Sequence, residues 1–203
     1  MKTLFLLILF LPFCVNAQQQ VTESNPAGQL SIGTRNTISF FNDDEGIGKG
    51  IGGQFRVRLS RRLNSEWFFD YINSRNQRYT SRNDYHIGWS ILFYTSKMQG
   101  KQLLEPYFIV GHCFDYSQVK AQADPSNAAS RLSMATQGGA GTHLRFHPRF
   151  DCSLAAQYML HFGKELETRI ENEAVFIEKK SFTHPHGHLL FTLSFNYQLG
   201  RLW

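Results

Sequence analysis

From about residue 30 onward the chain repeats one pattern, with apolar side chains at every second position and polar or small ones between them. A period of two is the signature of a strand whose two faces meet different surroundings. In LSIGTRNTISFF, Leu30, Ile32, Ile38 and Phe40 share a side, and in GIGGQFRVRLS, Ile51, Phe55, Val57 and Leu59 oppose Gln54, Arg56 and Arg58. A third segment sets Trp67, Phe69 and Tyr71 against Glu66 and Asp70, and a fourth, DYHIGWSILFY, sets Tyr85, Ile87, Trp89, Ile91 and Phe93 against His86, Gly88 and Ser90. The fifth, EPYFIVGHCFDY, is apolar on both faces for part of its length, and its outer face is left unassigned. A bulge at Gly111 that switches the phase from Phe108 and Val110 to Cys113 is the expectation there. The sixth puts Leu132, Met134, Ala140, Leu144 and Phe146 against Gln137, His143 and Arg145, and the seventh puts Cys152, Leu154, Ala156, Tyr158, Leu160 and Phe162 against Ser153, Gln157 and His161. The eighth, FTLSFNYQLGRLW, alternates Phe191, Leu193, Phe195, Tyr197 and Leu199 with Thr192, Ser194, Asn196 and Gln198. Eight two-faced strands predict an all-β fold, an eight-stranded antiparallel up-and-down barrel.

Alternation alone does not say which face is inside. A soluble, ligand-binding barrel of the lipocalin type points its apolar residues inward, whereas a transmembrane barrel points them at lipid. Three features favour lipid: Trp and Tyr residues suited to interfacial girdles, an aromatic chain end, and an alternation of connection lengths. Linkers after strands two, four and six (RRLNS, SKMQGKQLL, HPR) are mostly short, while those after one, three, five and seven (NDDEGIGK, NSRNQRYTSRN, SQVKAQADPSNAAS and residues 163 to 186) are longer. Short turns at one end and long loops at the other fit both termini in the periplasm. The mean hydropathy is below zero although the chain holds 18 Phe, and a strand that is apolar at alternate positions only accounts for both.

The N-terminus completes the export reading. MKTLFLLILFLPFCVNA has one charge at Lys2, an apolar core and small residues before a cleavage site after Ala17, as in a secretory signal peptide. The expected organisation is a signal peptide over 1–17, a periplasmic segment over 18–28 and a barrel over 29–203 in the bacterial outer membrane. The formal charge of +5 is scattered, which leaves nucleic acid out of the expected partners. Cys113 and Cys152 are too few for a disulfide scaffold; they could pair with each other or stay buried, and burial within apolar strands is the expectation.

The signal peptide, the eight segments and the terminal FNYQLGRLW resemble the small outer-membrane β-barrels of the OmpX and OmpA-transmembrane type. The resemblance implies that Trp203, with Tyr197 and Leu199 upstream, is the signal read by the barrel-assembly machinery. Arg201 departs from that pattern, which usually has an apolar residue two before the end. It also implies outer-membrane lipid and lipopolysaccharide as surroundings.

Candidate chemistry is sparse. If Arg61 to Ser65 makes a hairpin, Arg56 falls near Asp70 and Arg58 near Glu66, giving inward charge pairs that fill a narrow lumen. Arg75, Arg78 and Arg82 around Tyr79 are candidates for contact with lipopolysaccharide phosphates. His184, His186 and His188 alternate in THPHGH and could converge on a metal ion. GIGKGIGG lacks the strand-to-helix context of a phosphate loop, so its glycines are read as serving a turn and close strand packing. Lipid-A deacylase barrels resemble this size and topology, but no His is followed two positions later by Ser. The reading is therefore a structural or surface-interaction barrel, not an enzyme and without a cofactor, with a lipid-modifying enzyme or a soluble lipocalin-like barrel as alternatives. The segment 166 to 180, which mixes both signs with Val175, Phe176 and Ile177, is expected to form a hairpin beyond the membrane that could take a surface protein partner.

Overall fold

A computed structural model describes residues 25–41, 46–76, 79–95, 103–171, 174–180 and 186–203. They form β1 (Gln29–Phe41), β2 (Ile47–Arg58), β3 (Leu63–Asn76), β4 (Thr80–Tyr94), β5 (Leu104–Ala121), β6 (Ala128–His147), β7 (Phe150–Phe162), β8 (Glu165–Glu171), β9 (Ala174–Lys180) and β10 (His186–Arg201). Eight of these close into one barrel in the order β1, β10, β7, β6, β5, β4, β3, β2, and β8 and β9 pair separately as a hairpin. Every neighbouring pair is antiparallel. Closure of β1 on β10 leaves no barrel edge unpaired, the condition for placing a sheet in hydrocarbon.

The alternation sorts as the sequence implies. Ile32, Ile51, Phe69, Ile87, Leu132, Leu154 and Phe195 all point out of the barrel, Phe195 with 52% of its surface exposed. Their chain neighbours Arg35, Gln54, Glu66, Asp70, His86, Gln137, Ser153 and Asn196 lie buried within it. That arrangement is the reverse of a lipocalin-like barrel, so the soluble alternative does not hold. Among the described residues no helix is long and apolar enough to cross a membrane, and the crossing elements here are strands.

Two expectations need correction. β5 pairs with both neighbours in unbroken register through Gly111, so no bulge switches its phase. Phe108, Val110, Phe114 and Tyr116 face out, while Tyr107, Ile109 and Cys113 face in. The strand reads as apolar on both faces because part of the lumen is itself apolar: Phe68, Ile72, Cys113, Ala135, Met159 and Leu190 form one inner cluster, and Leu92, Tyr94, Tyr107 and Ile109 another. Connection lengths are the second correction. β3, β4, β5 and β6 run on into the polar stretches taken as loops, leaving only 77–79 between β3 and β4 and 122–127 between β5 and β6. Cross-strand side-chain bonds let this polar sequence stay in strand form: Asn73 Nδ2 donates to Asn83 Oδ1 at 2.7 Å and Tyr71 Oη to the same oxygen at 2.9 Å. The alternation of short and long therefore survives mainly in the 163–185 connection, which holds the β8–β9 hairpin.

The end that carries β1's start and β10's finish, with the connections 59–62, 95–103 and 148–149, is here called the terminal end, and the opposite one the loop end. Gly28 closes the terminal end. It adopts φ +84°, and a Cβ there would lie 2.6 Å from the Trp203 carbonyl oxygen, so only glycine lets the two chain ends pack this closely. Gly48, Gly50 and Gly52 of the glycine-rich stretch face the interior of β2, where added Cβ atoms would strike Ile72 or Asp70. Close packing, and not phosphate binding, is what those glycines serve.

Candidate functional site: the filled lumen and the outer hairpin

The interior is built in layers of opposite character. Toward the loop end, His188 of β10 and His86 of β4 bring their ring centroids to 5.9 Å although those strands lie on opposite walls of the barrel. His161 joins them, with its Nε2 3.5 Å from that of His188. Asp115 sits among these rings, 3.0 Å from His161 Nδ1 and 3.4 Å from His86 Nε2, with Arg131 at 3.6 Å. The apolar layer around Ile72, Met159 and Leu190 lies beneath.

Further toward the terminal end, Arg35 is buried and its guanidinium is shared among three acceptors. Nε donates to Asp70 at 3.0 Å, and Nη1 to Glu66 and to Gln54 Oε1, both at 2.9 Å. Phe68 stacks under the same guanidinium at 4.5 Å. The aromatic layer of Tyr94 and Tyr107 follows, and then the terminal-end charges: Arg56 donates to Asp151 at 2.7 Å and Arg58 to Glu105 at 2.8 Å. These last contacts also span the barrel, since β2 lies three strands from β7 and from β5 by the shorter way round. Side chains thus meet across the axis at both ends, as expected for eight strands.

All four expected lumen charges are inside, but with other partners. The β2–β3 register sets Arg56 opposite Glu66 and Arg58 opposite Asn64. Arg56 and Arg58 instead reach across the barrel, while Glu66 and Asp70 are taken by Arg35, a residue the sequence reading left unassigned. Its signal was available as an inward parity on β1; its partners depend on barrel closure.

The arginine trio does not assemble. Arg75 is exposed on β3, whereas Arg82 is inward on β4, donating to Asp84 at 2.8 Å and lying 4.7 Å over the Phe41 ring. Opposite parities on paired strands account for the split, and Arg78 lies outside the described residues. His184 is also outside them, and only the backbone of His186 is described. His188 turns inward to His86 and His161, and among the described residues no group of three or more His, Cys, Asp or Glu is arranged to hold a metal ion. Cys113 is buried, with Sγ 3.7 Å from Met159 Sδ, while Cys152 is half-buried on the outer face, so the wall separates the two free thiols. Tyr197 and Leu199 face outward, Tyr197 against Phe150 at 4.8 Å, and Trp203 beyond them is 65% exposed. Arg201, the departure from the resemblance, donates to the carbonyls of Asn25 and Ala27 and so ties the end of β10 to the segment that leads into β1.

At the loop end the β8–β9 hairpin pairs Glu165 with Lys180 through Glu171 with Ala174. Asn127 Nδ2 donates to the Val175 carbonyl at 2.6 Å and Arg131 to the Lys164 carbonyl at 3.2 Å, anchoring it to the β5–β6 end. Phe176 and Ile170 remain exposed. Lys180 hydrogen-bonds the Glu167 carboxylate and holds it below the ordinary carboxylate range, and the Ser126 hydroxyl and backbone N–H do the same for Asp124.

Comparison with solved structures agrees with this geometry. Neisserial surface protein A aligns with 84% of this chain and 96% of its own at a TM-score of 0.55 and 11% identity. The outer-membrane protein OprG of Pseudomonas aeruginosa aligns with 87% of this chain and 98% of its own, at 0.55 and 12%. The chain has the fold of the small outer-membrane β-barrels. AlkL, an outer-membrane protein solved in lipid bilayers, covers 91% of this chain and 96% of its own at a TM-score of 0.53 and 10% identity. No family model matches the sequence, and no curated protein matches it either. The closed barrel and its apolar outer wall together fit a sheet set in a lipid bilayer.

Proposed function

We propose that the barrel is a closed, non-conducting anchor that displays the β8–β9 hairpin for surface interaction, with its terminal end in the periplasm. The observation that carries this is the hairpin itself. It is a separate two-stranded sheet, so each strand keeps an edge without a strand partner among the described residues, beside the exposed Phe176 and Ile170. A free strand edge flanked by apolar side chains is suited to strand addition by a protein partner. The filled lumen supports the anchoring half of the reading, and no reaction is assigned. Cells expressing the full chain should adhere to protein-coated surfaces, and cells expressing the chain without residues 165–180 should not; equal adhesion by both removes the hairpin from the account.

Two narrower roles go with this reading. Lipopolysaccharide contact is carried by Arg75 alone of the trio with a described outward side chain, beside the outward Lys49 of β2. Recognition by the assembly machinery rests on Trp203, Tyr197 and Leu199, which present an apolar strand end to the outside. Deleting Trp203 should lower the heat-modifiable folded fraction in membranes but leave refolding in detergent unchanged. A loss in both would make Trp203 a packing residue against Gly28 instead.

A further inference from the structure

The terminal end carries more positive charge than it neutralises. A small cleft opens there, lined by Arg56, Arg58, Arg145, Arg149, His143 and Asp151 among others. Two carboxylates serve the four guanidiniums. Asp151 takes Arg56 at 2.7 Å, and Glu105 divides its oxygens between Arg58 Nη2 at 2.8 Å and Arg145 Nη2 at 2.7 Å. Arg149 meets only the Tyr197 hydroxyl, at 3.4 Å, among its side-chain bonds. Two guanidiniums therefore share one carboxylate and a third has none, which leaves an excess of about two positive charges by ion-pair counting.

Two further observations point to a missing acceptor. Arg58 Nη1 and Arg56 Nε are buried donors without a hydrogen-bond partner, on side chains otherwise fully engaged. A buried donor left unmade costs roughly 1 to 3 kcal/mol, so an anion that draws these two guanidiniums toward the cleft offsets part of that cost. The guanidiniums are also held in place. Arg58 lies 3.6 Å over the Tyr94 ring and donates to the carbonyls of Ser60 and Arg61, and Arg56 is braced against His143 and Ser153. Such preorganisation lowers the entropy lost on binding an anion. Arg61 and Arg62 continue the positive surface on the adjoining 59–62 turn, where they line a second opening with Asn25 and Ser60.

We propose that this cleft is an oxyanion site that takes a phosphate group, with Arg145 and Arg149 as its accessible contacts and Arg56 and Arg58 as the charge behind them. Planar guanidiniums meet phosphate oxygens with paired hydrogen bonds, which favours phosphate over a monovalent halide. The phosphate has two natural sources at this end: a soluble phosphate compound, or the headgroup of an anionic phospholipid in the leaflet that surrounds the turns.

The test is calorimetric titration of the full chain in phosphatidylcholine nanodiscs with inorganic phosphate at low ionic strength. Wild type should bind saturably, and Arg149→Gln should weaken binding roughly tenfold, the loss expected for one charge-assisted contact. Lys120→Gln, at the opposite end of β5 from Glu105, should leave the affinity unchanged. Repeating the titration in discs containing phosphatidylglycerol separates the sources. Suppressed phosphate binding identifies the lipid headgroup, and unchanged binding identifies a soluble phosphate. If phosphate and phosphatidylglycerol both fail to bind, or Arg149→Gln and Lys120→Gln weaken binding equally, the positive charge is diffuse and there is no site. Unfolding each variant in urea guards against a trivial loss through misfolding.

Discussion

The outer wall and the lumen are made by the same strands from alternate residues, yet they obey different rules. On the wall, Ile51, Phe69, Ile87 and Phe195 each need only be apolar, because lipid makes no specific demand on them. In the lumen, Arg35 needs Asp70, Glu66 and Gln54 together, and Arg56 needs Asp151 on the far side. A wall residue can be exchanged within its class, whereas a lumen residue is fixed by the partners it would strand. The difference is energetic: a buried charge that loses its counter-charge is far more costly than an apolar side chain that changes shape.

That contrast breaks most sharply at Arg35. Arg35→Met should destabilise the folded barrel by about 3 to 5 kcal/mol, because it leaves the buried Glu66 and Asp70 without their cation. The triple change Arg35→Met, Glu66→Leu and Asp70→Leu should regain most of that loss, since removing a whole buried ion pair is often near neutral. Urea unfolding in lipid vesicles, followed by tryptophan fluorescence, measures both. Next in size is Phe195→Arg, which puts a charge into hydrocarbon near the middle of β10 and should cost about 2 to 4 kcal/mol, whereas Phe195→Leu should be mild. An Arg at 195 that is tolerated would mean that the wall does not face lipid there. The smallest effect belongs to neither region: Arg75→Ala, exposed on β3, should stay within about 0.5 kcal/mol.

The same contrast sets what was legible in the sequence. Facing follows from parity, so Gln54, Arg56 and Arg58 on one side and Ile51 and Phe55 on the other were readable without knowing any partner. So was the neighbouring of β1 and β10, because a barrel in lipid has to close. Partners were not readable, since they require register and closure at once. A hairpin guess misplaced Arg56 by four residues along β3, and the true acceptor lay on β7. β5 failed for a different reason: Tyr107 and Ile109 belong to one apolar cluster inside the lumen and Cys113 to another, which removes the polar half of the alternation. Loop lengths failed because polar strands that project past the lipid look like loops by composition, as with Asn73 and Asn83. The terminal-end cleft gave no local signal, since its arginines come from β2, β6 and the turn before β7 and meet only on closure.

The most direct test of a filled, anchoring barrel is electrical. Refolded full-length protein inserted into a planar lipid bilayer should give no steady single-channel current, because His86 and His188 meet across one end of the axis and Arg56 and Asp151 across the other. Arg35→Met, which empties part of the middle layer, should remain closed at those two ends. A stable ohmic channel from the wild-type chain would contradict the account.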